Sequence, residues 1–349
     1  MRPGSLVLED GRRFGGFIHG PAASGEVVFT TVMTGYPEVV TDPSYRDQIV
    51  VMCFPEIGIY GYERDVLESA TAQVAGLVVR DYFDRHEGSG SIASYLERSG
   101  KTVLSGVDTR ALVRHIRSCG TLIGRIDEGE GVPPGHGTST EEMIIEVATS
   151  TPRTVAHGDT CRVVVVDYGV KADILRALTR LGAHVRLLPP TSTVADISAE
   201  DPDGVILSPG PGDPADLPGF AAEARKIAER WPTFGICLGH QLLASGFGGG
   251  TYKLKFGHRG GNHPVSEVET RRVYITSQNH GYAVDQDSIV KRGLAVTHLN
   301  ANDGTVEGLS HRELAVRSLQ YHPEAGPGPR DERPAFRRVL SDLGVLKGA

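Results

Sequence analysis

The chain has 349 residues, of which 39% are apolar and 23% charged, a balance that excludes the disordered and collagenous classes and, at this length, predicts two domains of ordinary size. Its 36 basic and 43 acidic side chains give a net charge of -7, which opposes docking on phosphate backbones and argues against a nucleic-acid partner. The four cysteines (Cys53, Cys119, Cys161 and Cys237) are scattered without C-x-x-C pairing, and no segment reads as an export signal or a membrane span, so a reducing, cytoplasmic setting without membrane contact is expected.

From Leu6 to about Gly124, short β-prone pieces such as GEVVFTTVM (25–33) and RDQIVVMC (46–53) alternate with turn residues. They predict a smaller, β-rich α/β domain over residues 1–150. Helices are expected at 91–100 and 107–120, the second opening on Asp108 as N-cap and closing on Gly120. Arg110, Arg114 and Arg117 share one face of that helix and read as a solvated stripe. Residues 127 to 160 have the Gly/Pro/Ser/Thr-rich character of a linker, which places the domain boundary near 150.

Beyond it, CRVVVVDYG (161–169) is a continuous apolar run of the kind that forms a strand buried on both faces, followed by a helix ending at Gly182. AHVRLLP, DGVILSPG and PTFGIC repeat that strand type, with helical segments such as FAAEARKIAERW between them. This alternation predicts an α/β fold over 151–349: a flavodoxin-like, mostly parallel sheet flanked by helices. Ligands of such sheets bind at the carboxyl ends of the strands.

Three of those ends carry chemistry. The strand expected at 233–236 runs into Gly235-Ile236-Cys237-Leu238-Gly239, so Cys237 sits on a sharp strand-to-helix turn, the thiol counterpart of a nucleophile elbow. There the positive end of the helix dipole favours the reactive thiolate. LAVRSLQYHPEAGPGP (314–329) supplies a base and a group to orient it: the strand-like run ends at His322, and Glu324, two residues on, points to the same side. In DGVILSPGPGDP (203–214), Gly210 or Gly212 offers a backbone N–H that, with that of Leu238, would stabilise an oxyanion.

Other readings of these residues fare worse. Gly210, Gly212 and Ala215 fit G-x-G-x-x-A, but they follow the third strand of the domain and lead to no acidic residue at the next strand end. His240, His258, His263 and His280 fit no common zinc-ligand spacing and read as loop or supporting histidines, with no metal expected.

FGICLGHQ, SPGPGDP and YHPE, in this order and spacing, resemble the class I (triad) glutamine amidotransferases. YKLKFGHRGGNHPV (252–265), SQNHGYAV (277–284), MTGYPEVVTDPSY (33–45) and SGVDTRALVRHIR (105–117) are similar to the small, glutaminase subunit of carbamoyl phosphate synthetase, so the likeness spans the whole chain. It differs at Tyr282, where that family often has phenylalanine, and at Pro209, where it usually has asparagine. The resemblance implies that Cys237 attacks the side-chain amide of glutamine, that His322 and Glu324 complete the triad, and that a γ-glutamyl thioester is then hydrolysed. It also implies glutamine contacts from Ser44, the backbone of Gly210, Gly212 and Leu238, the side chain of Gln241, and Asn279, Gly281 and Tyr282.

Ammonia would pass to a large subunit in a heterodimer, where bicarbonate and ATP, with Mg2+, give carbamoyl phosphate. This chain, which has no G-x-x-x-x-G-K-[ST] loop, would need no cofactor of its own. From the residues alone, Ser44 reads as a turn hydroxyl satisfying local backbone, and Gln241 as a residue one helical turn beyond Cys237. A free-standing cysteine hydrolase is opposed by the first 150 residues, and a decayed scaffold by the intact Cys237, His322 and Glu324.

Overall fold

The computed structural model describes every residue except 86–87, 130–137, 291, 333 and 347–349. The chain divides into two compact units, Met1–Thr138 and Ser139–Ala349. Composition places the boundary near 150; the difference is the helix Thr140–Val147, whose capping box between Ser139 and Glu142 starts the second unit. Part of the segment read as linker, 130–137, lies outside the described residues.

The first unit is built on a seven-stranded closed barrel. Ala23–Thr30, Gln48–Met52, Gly76–Val78 and Thr102–Ser105 run parallel to one another. Arg2–Leu8, Arg13–His19 and Leu122–Asp127 close the ring through antiparallel pairs. Runs such as Ile49-Val50-Val51-Met52 are fully buried, because a strand with the barrel interior on one side and packed loops or helices on the other has no face to leave polar. Both expected helices form. Asp108 accepts the Ala111 N–H at 2.9 Å to open Thr109–Cys119, and Gly120, at φ +106°, closes it. Leu112 and Ile116 face inward, while Arg110, Arg114 and Arg117 are exposed.

In the second unit the parallel strands are Arg162–Val166, His184–Leu188, Gly204–Leu207, Thr233–Ile236 and Val316–Leu319. Numbered along the chain, their spatial order is 2-1-3-4-5, the flavodoxin-like order. Alternate residues serve opposite faces: Val164 and Val166 pack with Ala224, Leu242 and Leu243, whereas Val163 and Val165 pack with Ile174, Leu178 and Phe336. Helices therefore cover both sides, and each fully buried valine, leucine or isoleucine contributes roughly 1.5–3 kcal/mol.

Past Val316–Leu319 the sheet continues as an antiparallel extension ending in a long hairpin, Thr251–Glu267 with Val273–Val284. The segments 252–265 and 277–284, which in the sequence stand out only by resemblance, are thus the two arms of one ribbon. That ribbon brings residues 277–282 alongside the carboxyl ends of the parallel strands.

Candidate active site

Cys237 sits where Thr233–Ile236 gives way to the helix Leu238–Gly246. Its φ is +52°, a conformation that costs a non-glycine residue roughly 1–3 kcal/mol and persists only where its surroundings enforce it. The enforcement is steric. A Cβ on Gly235 would lie 2.7 Å from the Gly239 carbonyl oxygen, and one on Gly239 would lie 2.2 Å from that of Leu207. Neither glycine can be replaced without moving backbone, so the turn stays sharp, with Cys237 buried at its apex.

The register of the neighbouring strand supplies the histidine. Gly235 pairs with Ser318 and Ile236 with Leu319, and the Cys237 N–H donates to the Leu319 carbonyl at 2.9 Å. The regular strand ends at Leu319, three residues before His322, which corrects the expectation of a strand running to that residue. His322 and Glu324 instead share a turn, in which the Ala325 N–H reaches the His322 carbonyl at 3.2 Å. The hairpin pins this turn from the side: the His322 N–H donates to the Ser277 carbonyl at 2.9 Å.

His322 Nδ1 and Glu324 Oε1 are 2.6 Å apart, and both side chains are buried. The other ring nitrogen, Nε2, makes no hydrogen bond to protein, and the Cys237 thiol is near enough to raise the proton affinity of the ring. The thiol also lies 3.7 Å from the Asn279 carbonyl. Burial alone would depress His322, but the Glu324 carboxylate outweighs it and holds the imidazole well above its ordinary range. Burial would raise Glu324, yet Lys171 and His322 hold its carboxyl well below the usual carboxylate range.

Lys171 is a residue that sequence reasoning missed. Its ammonium lies 3.1 Å from Glu324 Oε1 and donates to the Ala325 carbonyl at 2.7 Å, fully inside the protein. Its signal was its position: a lysine five residues past the apolar run 162–166, in the loop at a carboxyl strand end, where an unpaired charge is not expected without a partner.

Of the residues expected to stabilise an oxyanion, Leu238 opens its helix, so its N–H has no acceptor within it. Gly210 lies against it: a Cβ there would be 2.8 Å from Leu238 Cδ2 and 2.3 Å from the Tyr168 carbonyl oxygen. Gly212, at φ +97°, packs on Thr140. Gln241 Nε2 donates to the Tyr282 carbonyl at 2.9 Å and to Gln320 Oε1 at 3.0 Å, which ties the elbow helix to the arm carrying Asn279, Gly281 and Tyr282. Ser44 lies in the first unit. Asp42 caps its backbone N–H at 2.9 Å, while its buried hydroxyl makes no hydrogen bond to protein, contrary to the turn role read from sequence.

The four histidines weighed as metal ligands divide between the elbow helix, which carries His240, and the hairpin, which carries the other three. His240 is inside the elbow helix, bonded to Ser318 Oγ at 2.8 Å and pushed down to about 3 by burial. His258, His263 and His280 lie on the hairpin strands rather than in loops. Ligand-type atoms of His258, His280 and Glu307 fall within 4.8 Å of one another, but both Glu307 oxygens already accept amide N–H groups, from Gln278 at 2.9 Å and Asn300 at 3.0 Å. His258 bonds to Asp303 at 2.8 Å, and the two carboxylates overcome burial to push it up to about 9.

Both units match known families. The family described as Carbamoyl-phosphate synthase small chain, CPSase domain, matches residues 6–126, and Glutamine amidotransferase class-I matches residues 164–341. A protein from Symbiobacterium thermophilum named carbamoyl phosphate synthase small chain is 46% identical, over 96% of this chain and 97% of its own length. Proteins of the same name from Listeria innocua and Caldanaerobacter subterraneus subsp. tengcongensis are each 43% identical, covering 97% and 99% of this chain and 96% and 97% of theirs.

The chain belongs to the carbamoyl phosphate synthase small chain family. As a member it is the amidotransferase component of a glutamine-hydrolysing carbamoyl phosphate synthase. Each matched region falls within one compact unit: the small-chain domain in the barrel unit and the amidotransferase domain in the sheet unit.

Proposed function

We propose that this small chain hydrolyses L-glutamine through a Cys237–His322–Glu324 triad. The observation that carries the reading is His322 itself, clamped on one nitrogen by Glu324 and bare on the other, beside a thiol on a strained elbow. His322 takes the thiol proton as sulfur attacks the amide carbon, then gives it to the departing ammonia. Water, activated by the same nitrogen, cleaves the γ-glutamyl thioester. Developing negative charge on the substrate oxygen falls to the N–H groups of Leu238 and Gly210, each such donor being worth about 100- to 1000-fold in rate. Lys171 keeps Glu324 ionised, so the carboxylate can go on orienting and charging the imidazole.

Glutamine would lie against Gly210, Gly212 and Leu238, with Gln241 and the Asn279–Tyr282 arm fixing its amino-acid end. Ammonia then serves a large synthetase subunit that uses ATP and Mg2+, and no cofactor is needed for hydrolysis in this chain. The test uses the complex of both subunits. Replacing Cys237 with Ser is expected to abolish carbamoyl phosphate synthesis from glutamine while synthesis from added ammonia stays within about twofold of the parent. Equal loss of both activities would refute the assignment.

A further inference from the structure

The imidazole of His322 is placed by the chain that carries it. Nδ1 is held by Glu324, which rides on the same turn, and Nε2 makes no hydrogen bond to protein. The ring therefore stands where the backbone around 321–325 puts it. That backbone is irregular: the strand has ended at Leu319, and Ala325 has a φ of +67°, a left-handed conformation that persists in a non-glycine residue only where neighbours impose it.

Beyond the turn the chain is tied to the hairpin, where Ser277 Oγ donates to the Pro327 carbonyl at 2.7 Å. Before it the tie is the side chain of Tyr321. That ring is fully buried and edge-on to His298, with centroids 6.0 Å apart, and its hydroxyl donates to Glu332 Oε2 at 2.8 Å. Arg338, on the helix Ala335–Asp342, donates to the same oxygen at 2.8 Å, and its guanidinium lies 5.7 Å from the centre of the Tyr274 ring on the hairpin. Glu332 is itself only 3% exposed, and its carbonyl accepts the Ala335 N–H at 2.8 Å where the chain enters that helix. One carboxylate thus joins the start of the segment 321–332 to its end.

Desolvation consumes much of the attraction within a buried ion pair, so stability is a weak reason for one. Its location is the stronger clue, since the hydroxyl it holds belongs to the residue directly before His322. We propose that Glu332, backed by Arg338, is a positioning residue for His322: by holding the Tyr321 hydroxyl it fixes the backbone from which the imidazole reaches Cys237. The inference rests on the reading of Cys237, His322 and Glu324 as a triad. A misplacement of about 1 Å at a reacting group costs about 100-fold in rate, and loosening one anchor of the turn is a smaller disturbance.

The experiment uses the complex of both subunits and measures kcat and KM for glutamine beside synthesis from added ammonia. The variants are Tyr321→Phe, which keeps the buried ring and removes only the hydroxyl, Glu332→Ala, the two together, and Glu332→Gln, whose amide oxygen can still accept that hydroxyl. Each of the first two should lower kcat about tenfold, with KM and ammonia-dependent synthesis within about twofold of the parent. The double variant should be no slower than the slower single one, because both delete the same contact. Glu332→Gln should stay within about threefold of the parent, the neutral acceptor being the weaker one. Should Glu332→Ala fail to assemble, Tyr321→Phe and Glu332→Gln decide.

Parental kcat in Tyr321→Phe overturns the proposal, as does a loss confined to KM or an equal fall in synthesis from ammonia. Additive losses in the double variant overturn it too, since Glu332 would then not act through Tyr321. So does a Glu332→Gln variant as slow as Glu332→Ala, because charge and not the anchor would be at issue. His322→Asn in the same assay keeps the two readings apart. A parental rate there removes the triad and this inference with it, whereas a lost rate beside an unimpaired Tyr321→Phe removes this inference alone.

Discussion

Two buried histidine–carboxylate clusters lie in the second unit, and they differ in what their remaining ring nitrogens face. His322 with Glu324, and His258 with Asp303 and Glu307, are each held above the ordinary imidazole range by carboxylates that outweigh burial. Each keeps a ring nitrogen without a hydrogen bond. The difference lies in what that nitrogen meets. Nε2 of His322 meets a thiol at the carboxyl end of a parallel strand, whereas Nδ1 of His258 meets, at 3.6 Å, a carboxylate whose oxygens are already committed to Gln278 and Asn300. Proton affinity alone does not make a general base; an uncommitted nitrogen beside a nucleophile does.

The sharpest way to break this comparison is to remove each imidazole in turn. His322→Asn should cut glutamine-dependent synthesis by about 1000-fold, while His258→Asn leaves the initial rate within about tenfold. Comparable losses in a steady-state assay would mean that both clusters serve the reaction. Next in size is Lys171→Met, which leaves Glu324 buried without its cation. We expect about 3–5 kcal/mol of stability to be lost, read as a drop in the denaturation midpoint, and adding Glu324→Gln should recover part of it. A double variant no more stable than the single one would show that Lys171 does not act through Glu324.

The smallest effect is a pH dependence. Because His258 is raised from about 6.5 to about 9 in the folded state, its stabilising contribution is complete below pH 6.5 and is lost as pH rises through 9. Wild type should therefore exceed His258→Asn by the most near pH 6, with the gap narrowing by on the order of 2 kcal/mol toward pH 9.5, allowing for solvent screening. Thermal melts across that range supply the measurement, and a gap that widens with pH would reverse the assignment of the proton.

The parallel half of the second unit was legible because its determinants are local: apolar runs, helix caps, and glycines on either side of Cys237. The hairpin was not. Its strand Thr251–Glu267 mixes charged, glycine and histidine residues, and its pairing depends on partners far along the chain, so no short-range period marks it. His322 and Glu324 were identified by type and spacing, but the reason they face one way is a turn and not a strand pleat. Lys171 escaped because one lysine after an apolar run looks like a helix start until the buried carboxylate 153 residues later is placed beside it. Ser44 shows the reverse case, an ordinary turn serine by pattern whose hydroxyl turns out to lack the local bond that pattern predicts.

One consequence of the barrel concerns how anything can attach to it. A ring in which every strand has two neighbours offers no open row of main-chain donors and acceptors, so neither a visiting peptide nor a second copy of the chain can extend it by strand addition. Whatever grips the barrel itself must do so through loops and side-chain heads, which makes its recognition tunable by point substitution and spares the barrel the sheet-to-sheet sticking to which exposed β-edges are prone.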